Sequence, residues 1–146
     1  NSKEIEFLCK DFQKKAGRFM KCEIETLPKI KGGGKMEAHD LKVKEGELIL
    51  KNIGTGDYLM ILDEGGKTMD SRTFAEWLRL HFVNEARSLV LVIGGVYGFS
   101  DEVHSRADTK LSLSKMTFNH ELALLVLLEQ VYRAATIIHG HPYHND

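Results

Sequence analysis

LVLVIGGVYGFSDEV, residues 89–103, passes from five consecutive apolar residues through a glycine-rich turn into the start of a helix. The run Leu89–Ile93 lacks polar alternation, which is typical of a strand covered on both faces. Ser100 and Asp101 can then cap a helix that reaches about Ala107. A buried strand followed at once by a helix is the building unit of an α/β protein.

Outward from this stretch, the chain alternates apolar runs with helical patterns. YLMILD, residues 58–63, predicts a second buried strand, and residues 21–27 and 110–114 predict two further strands. We therefore expect an α/β fold with a mostly parallel sheet and helices on both faces, built as a single domain over residues 1–146. Apolar residues at helical spacing predict the remaining helices, which cover residues 3–16, 36–53, 71–86 and 119–138.

Two finer predictions concern a helix and a loop. The segment KIKGGGK, residues 29–35, combines three consecutive glycines with three lysines, so we expect a mobile basic loop without a packed element. Within the helix over residues 71–86, the stripe expected to be buried consists of Phe74, Trp77, Leu78 and Phe82.

Composition excludes several classes of protein. Lysine and arginine number 20 and aspartate and glutamate number 21, so a nucleic-acid partner would have to be met by a local basic patch. Cys9 and Cys22 lack the CxxC spacing of zinc sites, and we expect buried free thiols in a reducing, cytoplasmic setting. The longest apolar run, residues 122–128, is far shorter than the roughly 20 residues of a membrane helix, so no membrane span is predicted.

In a parallel sheet, ligands bind at the carboxyl ends of the strands. That edge would be formed here by the loops after Asp63, Ile93 and Ser114. The loop after Ile93 contains GGVYG, whose glycines allow a ligand to approach the backbone closely. This spacing is not the GxGxxG of dinucleotide-binding sites, so NAD binding is disfavoured, and a plain tight turn is an open alternative.

The loop after the last predicted strand, LSLSKMTFNHE, residues 111–121, has two interpretations. Ser114 or Asn119 could simply accept hydrogen bonds from the free amides that begin the final helix. Alternatively, the amides, carbonyls and small side chains of this loop could line a cofactor pocket. His120 stands in the first turn of that helix, where a histidine more often packs or hydrogen-bonds than catalyses.

The final helix is apolar on nearly every side between residues 122 and 131, more than one sheet face usually covers. This predicts a partner helix and hence a dimer. Polar side chains buried in such a helix need partners, so we expect a network at a subunit interface or at a site. The polar residues concerned are Glu129, Gln130, Tyr132 and Arg133.

The chain ends in IHGHPYHND, residues 138–146, which contains three histidines. An HxH pair is compatible with a metal ion, but no cysteine lies nearby and a tetrahedral site would need a fourth ligand from elsewhere. No metal site is therefore predicted, and a frayed terminus is the common structural alternative.

Four motifs stand in register along the chain: LVLVIGGVYGFSDEV, LSLSKMTFNHE, LLEQVYRA and HPYH. Together they resemble the ribosomal large-subunit pseudouridine methyltransferases, a compact branch of the SPOUT methyltransferases, over most of residues 62–144. The resemblance implies a C-terminal deep trefoil knot, a homodimer and a bound S-adenosylmethionine in a bent conformation. It also implies methyl transfer to N3 of a pseudouridine in 23S ribosomal RNA, recognised in the assembled ribosome.

The resemblance also assigns roles to residues at matching positions. Tyr143 and His144 are implied as catalytic residues that hold the uracil ring and assist the loss of the N3 proton. Arg133 and His120 match positions implied as pocket or RNA contacts. The implied cofactor contacts are Leu62, Gly94, Leu113, Ser114, Lys115, Met116, Thr117 and Phe118.

The chain departs from the family pattern by losing positive charge. Relatives commonly have a basic residue directly after the tail histidine, where this chain has Asn145 followed by Asp146. They also commonly have an arginine four residues after the histidine of the final helix, where this chain has Leu124. This keeps open the alternative of a weakened RNA- or ribosome-binding module with the same fold. Relatives also begin with a hydrophobic strand, so we expect the first strand to be missing here. The remaining candidates to meet phosphate are Arg133, Lys115, Arg106 and the KIKGGGK loop.

Overall fold

The structure is a computed structural model that describes residues 2–145, so Asn1 and Asp146 lie outside the described residues. Its regular elements, in chain order, are α1 (Lys3–Ala16), a 3₁₀ turn (Gly33–Lys35), α2 (Ala38–Lys51), β1 (Tyr58–Thr68), α3 (Ser71–Asn84), β2 (Leu89–Ile93), α4 (Asp101–Arg106), β3 (Thr109–Ser112) and α5 (His120–Ile138).

The chain divides into two compact units. The sheet unit comprises residues 25–67 and 87–112, and the helical unit comprises residues up to 24, residues 68–86 and residues from 113 onward. Each unit is assembled from separate segments of the chain. The expectation of a single domain over residues 1–146 stays a prediction.

The sheet unit contains three strands in the order β2-β1-β3. β1 and β2 pair in parallel, in a register that runs from Tyr58 opposite Leu89 to Leu62 opposite Ile93. Successive side chains of a strand point to opposite faces, and Leu59, Met60 and Ile61 of β1 are all 0% exposed. The prediction that YLMILD is a strand covered on both faces is therefore confirmed, and the fold class is α/β.

Gly66 of β1 lies so close to the backbone of β3 that a side chain would not fit there. A Cβ atom at Gly66 would lie 2.7 Å from the carbonyl carbon of Lys110 and 2.9 Å from the amide nitrogen of Leu111, both in the backbone of β3. At the other end of β3, the Asp108 carboxylate accepts a hydrogen bond of 2.8 Å from the backbone N–H of Leu59. The hydrogen bond from Leu59 helps to hold β3 beside β1, and the lack of a side chain at Gly66 permits the close approach.

The core of the sheet unit lies between its strands and the helices α2 and α4. Ile49, Leu59, Ile61, Phe99 and Val103 form one buried cluster. α2 approaches α4 closely because Gly46 has no side chain, and a Cβ atom there would lie 2.3 Å from Ser100 Oγ. Ser100 also caps α4, since its hydroxyl accepts from the N–H of Val103 at 3.3 Å, as predicted.

In the helical unit, α5 packs against both α1 and α3. Each of these helices begins immediately after a side chain that accepts hydrogen bonds from its first turn: Ser2 for α1, Asp70 for α3 and Asn119 for α5. The predicted helices over residues 3–16, 71–86 and 119–138 are thus confirmed, with α3 ending two residues early. No helix within residues 2–145 combines the length and the apolar character that crossing a bilayer requires.

The buried stripe of α3 is only partly as predicted. Phe74 and Leu78 are buried and Trp77 is half-buried, whereas Phe82 is 50% exposed. His81 is buried instead, at 6% exposure, and stacks on Trp77 with ring centroids 5.4 Å apart. The apolar spacing alone did not show which of the adjacent residues His81 and Phe82 is buried near the end of α3. His81 takes the buried position because its ring stacks on Trp77.

Three strands, rather than the four predicted, occur among residues 2–145. Residues 21–27 adopt no regular structure, and the carbonyl of Cys22 accepts from the side chain of Gln13 at 3.1 Å rather than from a neighbouring strand. Alternating polarity favours a strand only if a partner edge is available. The KIKGGGK prediction is also wrong in part, because residues 33–35 close a 3₁₀ turn after Gly32, which has a φ of 75°.

The two cysteines differ in burial. Cys9 is a buried free thiol in α1, as predicted, whereas Cys22 is a half-buried free thiol. Burial raises the pKa of both thiols, which keeps them protonated and unreactive at neutral pH.

Candidate functional site

Pairing of β1 with β2 brings two of the predicted cofactor residues together in the sheet unit. Leu62 lies opposite Ile93, and Gly94 follows Ile93 directly. A Cβ atom at Gly94 would lie 2.9 Å from the Cζ atom of Phe99, so the ring of this core residue leaves no room for a larger side chain. Leu62 in β1 therefore lies beside the end of β2, which Gly94 follows. β1 continues to Thr68, so the expectation that a loop follows Asp63 is wrong.

The glycine-rich segment after β2 is a tight turn, the simpler of the two alternatives. The N–H of Gly98 donates to the carbonyl of Gly95 at 3.1 Å, and Gly98 has a φ of 80°, a conformation that favours glycine. The apolar side chains of this turn face outward, since Val96 is 87% exposed and Tyr97 is 50% exposed.

A residue that the sequence did not single out, Glu45 of α2, lies against this turn. A Cβ atom at Gly95 would be 2.7 Å from both carboxylate oxygens of Glu45. Its Oε1 atom is buried and has no hydrogen-bond partner among the described residues, and this burial raises the pKa of the carboxyl group. No pattern in the sequence distinguishes Glu45 from the neighbouring Glu47, which is exposed.

The other predicted cofactor residues, 113–118, belong to the helical unit. Ser114 makes a local turn, in which its hydroxyl accepts from the N–H of Met116 at 3.0 Å. Asn119 provides the helix cap, because its side chain accepts from the N–H of Glu121 at 2.8 Å. His120 is exposed in the first turn of α5. The exposed members of this stretch are Lys115, Met116 and Thr117, and its half-buried members are Leu113, Ser114 and Phe118.

A hydrogen-bonded group, here named the tail cluster, joins α5 to the C-terminal tail within the helical unit. It consists of Glu129, Arg133, Tyr143 and His144. The carboxylate of Glu129 accepts from Arg133 Nη2 at 2.6 Å and from the Tyr143 hydroxyl at 2.9 Å. Nη1 of Arg133 lies 3.0 Å from Nδ1 of His144, and its guanidinium carbon lies 4.8 Å from the centroid of the Tyr143 ring.

The tail cluster is also anchored to α3. Gln130 donates from Nε2 to Glu129 at 2.9 Å, and the hydroxyl of Ser71, the first residue of α3, donates to Gln130 Oε1 at 2.7 Å. The polar residues of α5 do form a network, which includes Glu129, Gln130 and Arg133, whereas its placement at a subunit interface or at a site stays a prediction. The sequence indicated that Glu129 needs a partner, because it is a charged residue in an apolar helix. Nothing in the sequence predicted that Tyr143 is one of its partners.

The charges of the tail cluster follow from these contacts. Burial would raise the pKa of Glu129, but the hydrogen bonds from Arg133 and Tyr143 outweigh it and hold the pKa below the usual value. Burial, followed by the hydrogen bond to Glu129, raises the pKa of the Tyr143 hydroxyl. At neutral pH the cluster therefore contains a carboxylate, a guanidinium and a protonated phenol.

The tail packs on the helical unit up to His144, so the alternative of a frayed terminus is wrong for these residues. His139 stacks on Phe19 with centroids 5.1 Å apart, and Tyr143 contacts Tyr132 edge-on at 4.7 Å. Within residues 2–145, no group of three or more histidine, cysteine, aspartate or glutamate side chains is arranged to hold a metal ion.

The candidates for phosphate contact differ in availability. Arg106 is committed within the sheet unit, because its Nη2 donates to the carbonyls of Gly54 and Asp57 at 3.0 and 2.8 Å. Arg133 is committed to the tail cluster, as described above. Lys115 is exposed, and so are the three lysines of the KIKGGGK segment, Lys29, Lys31 and Lys35.

Comparison with known proteins gives concordant matches over nearly the whole chain. A family model described as predicted SPOUT methyltransferase matches residues 1–144. The Ribosomal RNA large subunit methyltransferase H of Christiangramia forsetii is 42% identical over 145 residues, which cover 99% of this chain and 92% of that protein. The protein of the same name from Bacteroides fragilis is 43% identical over 136 residues, covering 93% and 87%. That from Flavobacterium johnsoniae is 40% identical over 145 residues, covering 99% and 92%.

Proposed function

Because this chain belongs to the SPOUT methyltransferase family, we propose that it transfers a methyl group from S-adenosylmethionine to N3 of a pseudouridine in 23S ribosomal RNA. The observation that carries the proposal is identity of 40% or more, over nearly the full chain, to proteins named Ribosomal RNA large subunit methyltransferase H. The enzyme acts in the cytoplasm, as a homodimer on the assembled ribosome, and its C-terminal part forms a deep trefoil knot.

The residues proposed to hold the cofactor are Leu62, Gly94 and the stretch from Leu113 to Phe118. Their chemistry suits an adenosine derivative, which needs apolar surface for its base and backbone groups for hydrogen bonds. Met116 is 75% exposed, so its side chain is open to solvent and could contact a bound cofactor.

When bound, the cofactor supplies a methyl group activated by its positively charged sulfur. The protein residues have to align N3 with that methyl group and exclude competing orientations, so positioning contributes much of the acceleration. N3 of the uracil ring is a weakly acidic imide that must lose its proton before it can attack. Tyr143 and His144 are the proposed catalytic residues, which hold the ring and assist that proton loss. The hydroxyl of Tyr143 donates to Glu129, so the tyrosine would contact the substrate through its ring rather than through its hydroxyl.

Positive charge has to meet the RNA backbone. The proposed contacts are His120 and Arg133, but Arg133 is also held by Glu129 in the tail cluster. The exposed Lys115 and the three exposed lysines at positions 29, 31 and 35 are therefore proposed to supply most of the phosphate contacts. The three lysines at positions 29, 31 and 35 would offset the positive charge that relatives carry at two positions where this chain has Leu124 and Asn145. Phosphate contacts of this kind release counterions, so binding is expected to weaken steeply with salt.

Calorimetry with S-adenosylhomocysteine, combined with methyl transfer to ribosomes from a strain that lacks the gene, tests the proposal. The purified protein should bind the nucleoside and label the 23S RNA. Absence of binding contradicts the proposal. Binding without transfer supports the alternative of a weakened ribosome-binding module, which the losses at Leu124 and Asn145 favour.

A further inference from the structure

We propose that Glu45 is a further cofactor-binding residue, whose carboxylate attracts a positively charged group of S-adenosylmethionine to the glycine-rich turn after β2. The cofactor carries two such groups, its sulfonium and its α-ammonium. The inference rests on the proposed function for the identity of the cofactor. The position of the carboxylate and its lack of a partner among the described residues are properties of the sheet unit alone.

The first step concerns where the carboxylate of Glu45 lies. A Cβ atom at Gly95 would be 2.7 Å from both of its oxygens, so the carboxylate occupies the space that a side chain at position 95 would fill. Gly95 directly follows Gly94, one of the proposed cofactor contacts. Both glycines and Glu45 belong to the sheet unit, so the carboxylate lies against the backbone of the residue next to that proposed contact.

The second step concerns what holds Glu45 beside the turn. The next residue in α2, Gly46, is buried, and a Cβ atom there would lie 2.3 Å from the hydroxyl oxygen of Ser100. Ser100 is itself buried and caps α4, which the turn leads into. The backbone of α2 is therefore packed tightly against the start of α4, and this contact keeps the neighbouring Glu45 close to the turn.

The third step is that the carboxyl group lacks a partner of its own. Its Oε1 atom is buried and accepts no hydrogen bond from the described residues. The N–H of Gly98 in the same turn is used by the carbonyl of Gly95 at 3.1 Å. Burial raises the pKa of Glu45, and no positive side chain of the described residues offsets this effect. A buried carboxylate without a partner costs stability, and such groups are typical of sites where a ligand supplies the partner.

The charge of the carboxylate determines which partner suits it. A neutral donor, such as a ribose hydroxyl, could satisfy a lone pair but would leave the charge in place. A positive group within about 4–6 Å favours the charged form and offsets the cost of its burial. Glu45 as a whole is half-buried, so a ligand can approach the carboxylate from the side of Oε2 while Oε1 faces the protein.

Calorimetry of the full-length protein with three ligands tests the inference. S-adenosylmethionine has both positive groups, S-adenosylhomocysteine has only the ammonium, and 5′-methylthioadenosine has neither but keeps the adenine and the ribose. Glu45→Gln should raise the dissociation constant of S-adenosylmethionine about 10-fold and leave that of 5′-methylthioadenosine within about twofold. S-adenosylhomocysteine separates the two sources, because an unchanged affinity assigns the sulfonium as the partner and an equal loss assigns the ammonium.

Two further variants provide controls. Glu47→Gln removes an exposed carboxylate of the same helix, which pairs with Lys44 at 3.8 Å, and should leave all three dissociation constants unchanged. Glu45→Asp keeps the negative charge and should lose less affinity for S-adenosylmethionine than Glu45→Gln does. Thermal unfolding without ligand should show Glu45→Gln to be no less stable than wild type, which excludes misfolding as the cause of its weaker binding.

The results that overturn the inference differ from those that contradict the proposed function. Equal dissociation constants for Glu45→Gln and Glu47→Gln overturn the inference. An equal loss for all three ligands also overturns it, because the carboxylate would then contact the ribose or serve only the structure. Both results leave the proposed function intact. A wild-type protein that binds none of the three ligands contradicts the proposed function and the inference together.

Discussion

Nη1 of Arg133 lies 3.0 Å from Nδ1 of His144, eleven residues further along the chain. This hydrogen bond links the middle of the last helix to the C-terminal tail, and Glu129 lies behind it as the acceptor for both Arg133 and Tyr143. The tail is therefore held by charge and hydrogen bonding, and this gives its stability a dependence on pH.

Glu129→Gln should destabilise the protein by about 1 kcal/mol at pH 7, because it weakens the charged acceptor of the tail cluster. The pKa of Glu129 is lowered in the folded state, so its contribution is present above the unfolded value of about 4.3 and is lost as the pH falls through the folded value. Urea unfolding at a series of pH values should show the gap between wild type and variant closing in acid. Glu6→Gln, which removes an exposed ion pair with Lys10, should change the pH 7 midpoint little. A gap that persists unchanged below pH ~3 is inconsistent with this account.

Glu45→Gln should have the opposite effect at pH 7. Burial raises the pKa of Glu45 in the folded protein. Between the unfolded and the folded pKa the folded protein therefore binds a proton more readily than the unfolded chain, and the free energy of unfolding falls as the pH rises through this range. Above the folded value the cost of the buried charge is present, and its removal should raise Tm by about 2–4 °C. Glu47→Gln, on the same helix and exposed, is the control. A lower Tm for Glu45→Gln would show that the carboxylate has a stabilising partner.

The two adjacent glycines of β1 should respond differently to alanine. A Cβ atom at Gly66 would meet the backbone of β3 at 2.7 Å, whereas one at Gly65 would meet only the Asp63 side chain at 3.2 Å. Backbone atoms of a paired strand cannot move aside as a side chain can. Gly66→Ala is therefore expected to lose about 2 kcal/mol more stability than Gly65→Ala, measured by denaturant unfolding. Equal losses would contradict the close approach of β1 and β3.

Replacement of the three lysines of the KIKGGGK segment by glutamine should weaken ribosome binding and leave S-adenosylhomocysteine binding unchanged. For every lysine that neutralises a phosphate, the slope of log affinity against log salt should become shallower by about 0.7 to 0.9. A filter-binding titration at several salt concentrations measures both the affinity and the slope. An unchanged slope would exclude these lysines from the interface. The matched control replaces three exposed lysines that are already ion-paired, Lys10, Lys21 and Lys44.

Features with a local cause were predictable from the sequence. Asp70 and Asn119 mark the starts of α3 and α5 because a cap depends only on the residues within one helical turn. Leu89–Ile93 was predictable as a strand because its apolar run is continuous, but the expectation that it is covered on both faces is wrong, since all five residues are only half-buried. The motifs shared with a known family located candidate site residues that spacing alone could not assign.

Features that depend on distant partners were not predictable in this way. Residues 21–27 alternate like a strand but find no strand partner among the described residues. The inner position of His81 depends on its stacking with Trp77. The hydrogen bond between Glu129 and Tyr143 spans 14 residues across the end of α5, and no periodicity encodes it.

Mass spectrometry of 23S ribosomal RNA nucleosides tests the central claim most directly. RNA from cells that lack the gene should have lost one N3-methylpseudouridine, and the wild-type gene should restore it. His144→Ala should fail to restore it, whereas His141→Ala, which removes an exposed ring packed edge-on against Phe19, should restore it. An unchanged nucleoside profile without the gene would contradict the proposed reaction, and full restoration by His144→Ala would contradict the role of the tail.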